Sequence, residues 1–418
     1  MKRRQFLRSA GLGVGLAMMP GLKLWAADES YTGKLLVTIR ANGGWDPTLF
    51  CDPKENVPGE RIITHWSENE STRRVGNIPY AAFGQNDDFF KRHYQKMLVV
   101  NGINTKTNSH KGGRKKMNAG DGSVASISGL FAHVHGSALT LPWLVDAYDR
   151  TYTEGLLVRT KVGGSGALET LVKPNQRSLS DQSQALHDDD HSLVQAYIKD
   201  RVTAFRREGV ELDRAAKWLK HFEAASKQDP RLATMSETLS TSERGDFAEN
   251  SFNNKLLFAV AAFKSGVSVS ADLATGGFDT HNRNDERQAG HYKTLLSGID
   301  YLWFLAEQHG FDDRLIVQVE SDFARTPHYN NKDGKDHWSV GSKVFMEKNA
   351  RWANKVAGGT DEGQNALRFN LSSLKRDDAG AQLSPNLVNH AFREYLGINE
   401  HADAQRMRLS EVLIPIFS

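Results

Sequence analysis

Two stretches of this chain repeat one order: an amphipathic helix closed by glycine, then an apolar strand. Residues 253–264 place Leu256, Leu257, Val260, Ala261 and Phe263 at helical spacing and stop before Gly266, and residues 267–271 follow as a strand. Residues 291–309 do the same with Leu295, Leu296, Ile299, Leu302, Trp303 and Leu305, close at Gly310, and lead into a strand at 314–320. Residues 34–40 and 96–101 read as earlier buried strands, 142–158 as two shorter sheet segments, and 386–395 as the last clear helix. Alternation of this length predicts an α/β protein with a mostly parallel central sheet and helices on both faces. Residues 187–250 are highly charged with scattered apolar positions, which predicts a helical insertion. No fixed-period repeat and no low-complexity linker divides the chain, so residues 28–418 read as a single domain.

Hydrophobic residues make up 39% of the 418 positions and charged residues 25%, values of an ordinary globular protein. A single cysteine, Cys51, excludes an intrachain disulfide and any zinc site built from several thiolates. The formal charge of +3 is misleading, because residues 1–27 hold Lys2, Arg3, Arg4, Arg8 and Lys23 and no acid. Without those five bases, 48 basic residues face 50 acidic ones, a charge of −2, so nucleic acid is not an implied partner. The same 27 residues have a basic start, a weakly apolar run rich in Gly and Ala, and small residues at Ala26-Ala27, the three regions of an export signal. Arg3-Arg4 followed by Phe6-Leu7 resembles a twin-arginine signal. The expectation is a protein exported by the twin-arginine machinery to the periplasm or beyond, with no integral membrane domain once the signal is removed.

In a parallel α/β sheet, ligands bind outside the carboxyl ends of the strands. Several predicted strand ends carry acids, imidazoles or hydroxyls. The first delivers Asp46, the second Thr107, Ser109 and His110, and the third Gly277-Phe278-Asp279-Thr280-His281. The strand at 314–320 delivers Ser321-Asp322-Phe323-Ala324-Arg325, with His328 and Lys335-Asp336-His337 beyond it. Carboxylate oxygen with imidazole nitrogen suits a divalent ion, zinc first, with manganese, calcium or magnesium as alternatives.

Gly43-Gly44-x-Asp46, Phe278-Asp279-Thr280-His281 with His291, Ser321-Asp322-Phe323-Ala324-Arg325 and Asp336-His337, in that order behind a twin-arginine leader, resemble the domain-of-unknown-function family 1501. These are exported bacterial proteins placed in the alkaline phosphatase/sulfatase-like superfamily. The resemblance implies an alkaline phosphatase-like fold and a two-metal hydrolase acting on phosphate or sulfate esters, in a small molecule or a polymer. Carried over residue by residue, it makes Asp46, Asp279, His281, Asp322 and His337 metal ligands and Ser109, less favourably Thr107, the nucleophile. Arg114 or Arg325 would pair with ester oxygens. A non-catalytic periplasmic binding or assembly protein that keeps the fold is the alternative.

Two departures stand against the superfamily pattern. Phe323 occupies the position where active members carry a histidine after the acid, and the Asp279-x-His281 spacing is short. His110, His291, His328 and Asp336 are the available substitutes. Other apparent signals read as structural. His187 and His191 flank three acids that suit a helix start, and Gly163-Gly164-Ser165-Gly166 lacks the lysine of a phosphate loop. Residues 111–116 are basic without interleaved aromatics, His133 and His135 suit packing, and Cys51 has no nucleophile motif around it.

Overall fold

The computed structural model describes residues 31–121, 125–146, 157, 159–162, 175, 183–207 and 229–418. The leader and the glycine run at 163–166 lie outside the described residues.

Among the described residues, eight strands form the central sheet: β1 (Leu35–Ala41), β2 (Met97–Asn104), β3 (Trp143–Asp146), β4 (Thr160–Val162), β5 (Ser270–Thr275), β6 (Leu315–Ser321), β7 (Val340–Glu347) and β8 (Lys355–Gly358). Their spatial order is β8-β2-β7-β6-β1-β5-β3-β4. All pairings are parallel except those of β7, which runs antiparallel between β2 and β6. The α/β expectation with a mostly parallel sheet therefore holds. The strand predicted at 267–271 begins three residues later, because Val267 and Val269 serve the connection from the preceding helix.

The helices are α1 (Asn86–His93), α2 (His110–Ala119), α3 (Ile127–Gly136), α4 (Asp188–Arg207), α5 (Arg231–Thr241), α6 (Ser251–Lys264), α7 (Asn284–Gln308), α8 (Pro385–Tyr395) and the short α9 (Ala402–Arg406). They cover both faces, as the pleat shows. Thr38, Asp272 and Val145 are register partners and so share a face, where Thr38 meets Ser128 of α3 at 2.8 Å. Asp146 is one residue out of phase and meets Lys255 of α6 on the other face. The buried strands run through one large apolar core that includes Leu36, Val37, Ile39, Val99, Val317 and Phe345. Among the described residues, no helix is long and apolar enough to cross a membrane.

Strand direction decides where chemistry can gather. β1, β5 and β6 are mutually parallel, and β2 shares their direction because two antiparallel steps through β7 separate it from β6. Their carboxyl ends therefore lie at one edge. β7, running the other way, begins at that same edge, so His337, three residues before Val340, is delivered there too.

Candidate metal centre

The loop after β1 turns through Gly43, whose φ of +120° only glycine adopts comfortably. A Cβ on Gly43 would also stand 2.4 Å from the Asp279 nitrogen, so the loops after β1 and β5 touch through bare backbone. The Gly43 N–H donates to Asp322 Oδ2 at 3.2 Å, which ties the loop after β6 into the same contact. Residues 324–325 and 337–338 pair as an antiparallel ribbon, with His337 opposite Arg325. Helix α2 enters from the fourth strand end, and Ser109 caps it by accepting from the Gly112 N–H.

Three imidazoles converge on the Asp279 carboxylate. Nε2 of His281 lies 3.1 Å and Nε2 of His337 3.3 Å from Oδ1, while Nε2 of His110 lies 3.5 Å from Oδ2. The Nε2 atoms of His281 and His337 are 3.0 Å apart. The opposite ring nitrogen of each histidine is held. Nδ1 of His337 meets the Asn108 carbonyl at 2.8 Å, Nδ1 of His281 meets Asp336 at 2.8 Å, and Nδ1 of His110 meets Asp322 at 2.8 Å. A carbonyl and two carboxylates only accept, so each Nδ1 donates outward and each Nε2 faces the Asp279 carboxylate, where a bound ion would take the place of any proton on that nitrogen. Phe323 packs beneath, its ring 4.8 Å from that of His110 and 4.5 Å from that of His337.

Burial raises the Asp279 pKa, but the hydrogen bond and charge of Arg325, helped by His337 and His110, outweigh it and hold the carboxyl at about 2. Asp336 is held below the usual carboxylate range, first by its bond to His281.

Asp279, His281 and His337, expected as ligands, thus come together, and His110, named only as a substitute, completes the group. Asp322 lies just behind it: Oδ2 orients His110, whereas Oδ1 is buried without a hydrogen-bond partner among the described residues. Asp46 and Arg325 depart from expectation. Asp46 is fully buried, Oδ1 accepting from the Thr48 N–H and hydroxyl, Oδ2 from Asn284 and from the Lys335 ammonium at 2.7 Å. A divalent ion on Asp46 would have to displace that ammonium, so Asp46 is a structural acid. Arg325 is also buried, donating to the carbonyls of Gly43, Gly44 and Lys335 and to Asp279 Oδ1 at 2.7 Å. Those partners occupy the guanidinium, which anchors Asp279 rather than reaching for ester oxygens. Ser109 is exposed beside His110, while the Thr107 hydroxyl accepts from the Ser109 N–H at 3.2 Å. Among the other substitutes, His328 contacts the Ile62 carbonyl, and His291 packs under Gly277 and beside Phe278.

Two nitrogens about 2.1 Å from one ion at a tetrahedral angle lie about 3.4 Å apart; the Nε2 atoms of His281 and His337 stand 3.0 Å apart, and one donor atom from each of His110, Asp279 and His337 lies within 4.8 Å of the others. The anchored imidazoles of His110 and His337 with the Asp279 carboxylate suit a zinc-like ion, His281 standing beside them, and the histidine–carboxylate and histidine–carbonyl pairs are the outer contacts such ligands take.

Residues 157–362 match the model of a family described as protein of unknown function, DUF1501. The match includes Asp279, His281, Asp322, Arg325 and His337 and leaves out Asp46, Ser109 and His110. No curated protein matches the chain in sequence. Among solved structures, Ps i-CgsB in complex with k-i-k-neocarrahexaose is 9% identical with a TM-score of 0.37, covering 91% of this chain and 75% of that one. The PsFucS1 sulfatase from Pseudoalteromonas sp. is 10% identical, TM-score 0.33, covering 87% and 70%. A Bacteroides thetaiotaomicron structure, whose title concerns metabolism of multiple glycosaminoglycans, is 8% identical, TM-score 0.33, covering 92% and 78%. Likeness at this level says nothing about which residues act.

Proposed function

We propose that this chain is an exported, metal-dependent hydrolase of phosphate or sulfate esters, built on an alkaline phosphatase-like arrangement and carried by the twin-arginine route. One observation carries the reading: three imidazoles, each anchored through Nδ1, aim Nε2 at a single carboxylate at the carboxyl edge of the sheet. His110, His337 and Asp279 would hold the ion, with His281 beside them, and the ion when bound supplies the Lewis acidity that ester hydrolysis needs near neutral pH.

The residues around it divide the remaining work. Arg325 keeps Asp279 ionised and fixes its rotation. Asp322, Asp336 and the Asn108 carbonyl keep the three imidazoles in one tautomer. Ser109, exposed at the start of α2, is the nucleophile of this proposal, and the free N–H groups of that helix terminus suit a developing negative charge. Thr107 orients the Ser109 backbone. Arg114, whose Nε is 3.9 Å from Asp322 and whose side chain is partly exposed, is the cation available to an anionic ester.

Aryl sulfates and aryl phosphates offered to the full chain, with and without added zinc or manganese, test the reading. The expected result is metal-dependent release of phenol from one ester class, abolished by Asp279→Ala. A protein that binds metal but turns over neither class supports the non-catalytic alternative, and one that binds no metal removes the basis of both hydrolysis and this site.

A further inference from the structure

A second group of donors lies on the face covered by α3, away from the sheet edge. His133, in the last turn of α3, places Nε2 3.1 Å from Oδ2 of Asp403, in α9. His401, the residue capping α9, places Nδ1 3.8 Å from the same oxygen, and its ring meets that of His133 edge to face with centroids 5.2 Å apart. One donor atom from each of the three falls within 4.8 Å of the others. All three side chains are partly exposed, at 18%, 37% and 25%, so an ion can reach them from solvent.

The surrounding contacts select the donor atoms. Nδ1 of His133 is buried, without a hydrogen-bond partner among the described residues, which leaves Nε2 as the nitrogen facing Asp403. Arg406 takes Asp403 Oδ1 at 3.2 Å and leaves Oδ2 turned toward the imidazoles. Nδ1 of His401 accepts from the Asp403 N–H at 3.3 Å, a cap bond that an ion on this nitrogen would replace. We infer that His133, His401 and Asp403 form a second divalent-metal site, zinc-like in its two-imidazole, one-carboxylate donor set, with water completing the coordination. The donors come from segments 270 positions apart, so the ion fastens the C-terminal segment to α3. Unlike His110, His281 and His337, His133 has no acceptor behind its second nitrogen among the described residues, which makes this the weaker of the two sites.

Zinc binding to the full chain, measured by equilibrium dialysis in an Asp279→Ala, His337→Ala background, isolates the group from the candidate catalytic cluster. His401→Asn keeps a good capping acceptor for α9 while removing the imidazole, and His133→Gln is an independent deletion from the other helix. The expected result is one zinc per chain in the background, with affinity lowered at least about tenfold by either further change. Absence of zinc from the background, or undiminished affinity in both variants, overturns the assignment. A zinc ion lost with Asp279→Ala but retained in His401→Asn belongs to the first cluster, so the two sites stand or fall separately.

Discussion

His110 and Asp322 meet at 2.8 Å although they follow different strands, His110 opening α2 beyond β2 and Asp322 just after the end of β6. The contact answers the oddity at position 323, where phenylalanine replaces an expected histidine. Phe323 packs beneath the rings of His110 and His337, and His110 supplies an imidazole from another strand end. Close approach allows it: a Cβ on Gly113 in α2 would stand 2.2 Å from the Asp322 carbonyl oxygen.

Asp322→Asn is expected to weaken zinc binding at the Asp279 cluster by about 10–100-fold, the usual cost of losing a carboxylate behind a ligand histidine. Competition against a chromophoric chelator measures it. Unchanged affinity would mean that the orientation of His110 contributes nothing to the site.

The regular parts of this architecture were legible because their signal is local. Strands β1, β2 and β6, helix α6 and the core of α7 all show apolar runs or helical spacing. Strand β7 was not, because Val340–Glu347 carries Lys343 and Glu347 and reads as polar. In the fold Lys343 sits opposite Glu320 at 2.8 Å, both fully buried, a pairing between strands that no local pattern reveals. The same limit applies to the site. Asp279, His281 and His337 stood out as donors at strand ends, but spacing could not separate Asp46, neutralised by Lys335 from a distant loop, from an acid open to metal. Nor could it show that the donors of Arg325 are consumed by three carbonyls and a carboxylate.

Lys335→Met is expected to destabilise the fold by about 3–5 kcal/mol, because it leaves the buried Asp46 carboxylate without its cation. Asp46→Asn strands the Lys335 ammonium in turn but should cost less, since the Asp285 charge still acts on Lys335 and an amide oxygen can still accept from Thr48. Urea unfolding of the three proteins checks both the size and the order. Equal stability of Lys335→Met and the parent would contradict the buried pairing.

Cys51 is buried, and that burial, with the neighbouring Asp52 charge, pushes its thiol well above the ordinary cysteine value. A raised value leaves almost no thiolate at neutral pH, and the sulfur is out of reach of solvent. The folded protein is therefore expected to resist alkylation and to label only as fast as it opens. A stoichiometric reaction within seconds, without denaturant, would show that the β1 loop opens far more readily than its packing implies.

Ser109 caps α2, and substitution can separate that role from the catalytic one proposed for it. As the residue capping α2 it contributes about 1 kcal/mol, which Ser109→Ala loses and Ser109→Asn keeps. As the proposed nucleophile it is irreplaceable by either residue. If both roles hold, Ser109→Asn retains parental stability and zinc affinity, while both variants lose about 1,000-fold or more in turnover of the ester that the parent hydrolyses. Single-turnover assays beside thermal unfolding of the same samples decide between the roles. Activity restored in Ser109→Asn would reduce Ser109 to a cap and leave the attacking group to be sought elsewhere around His110.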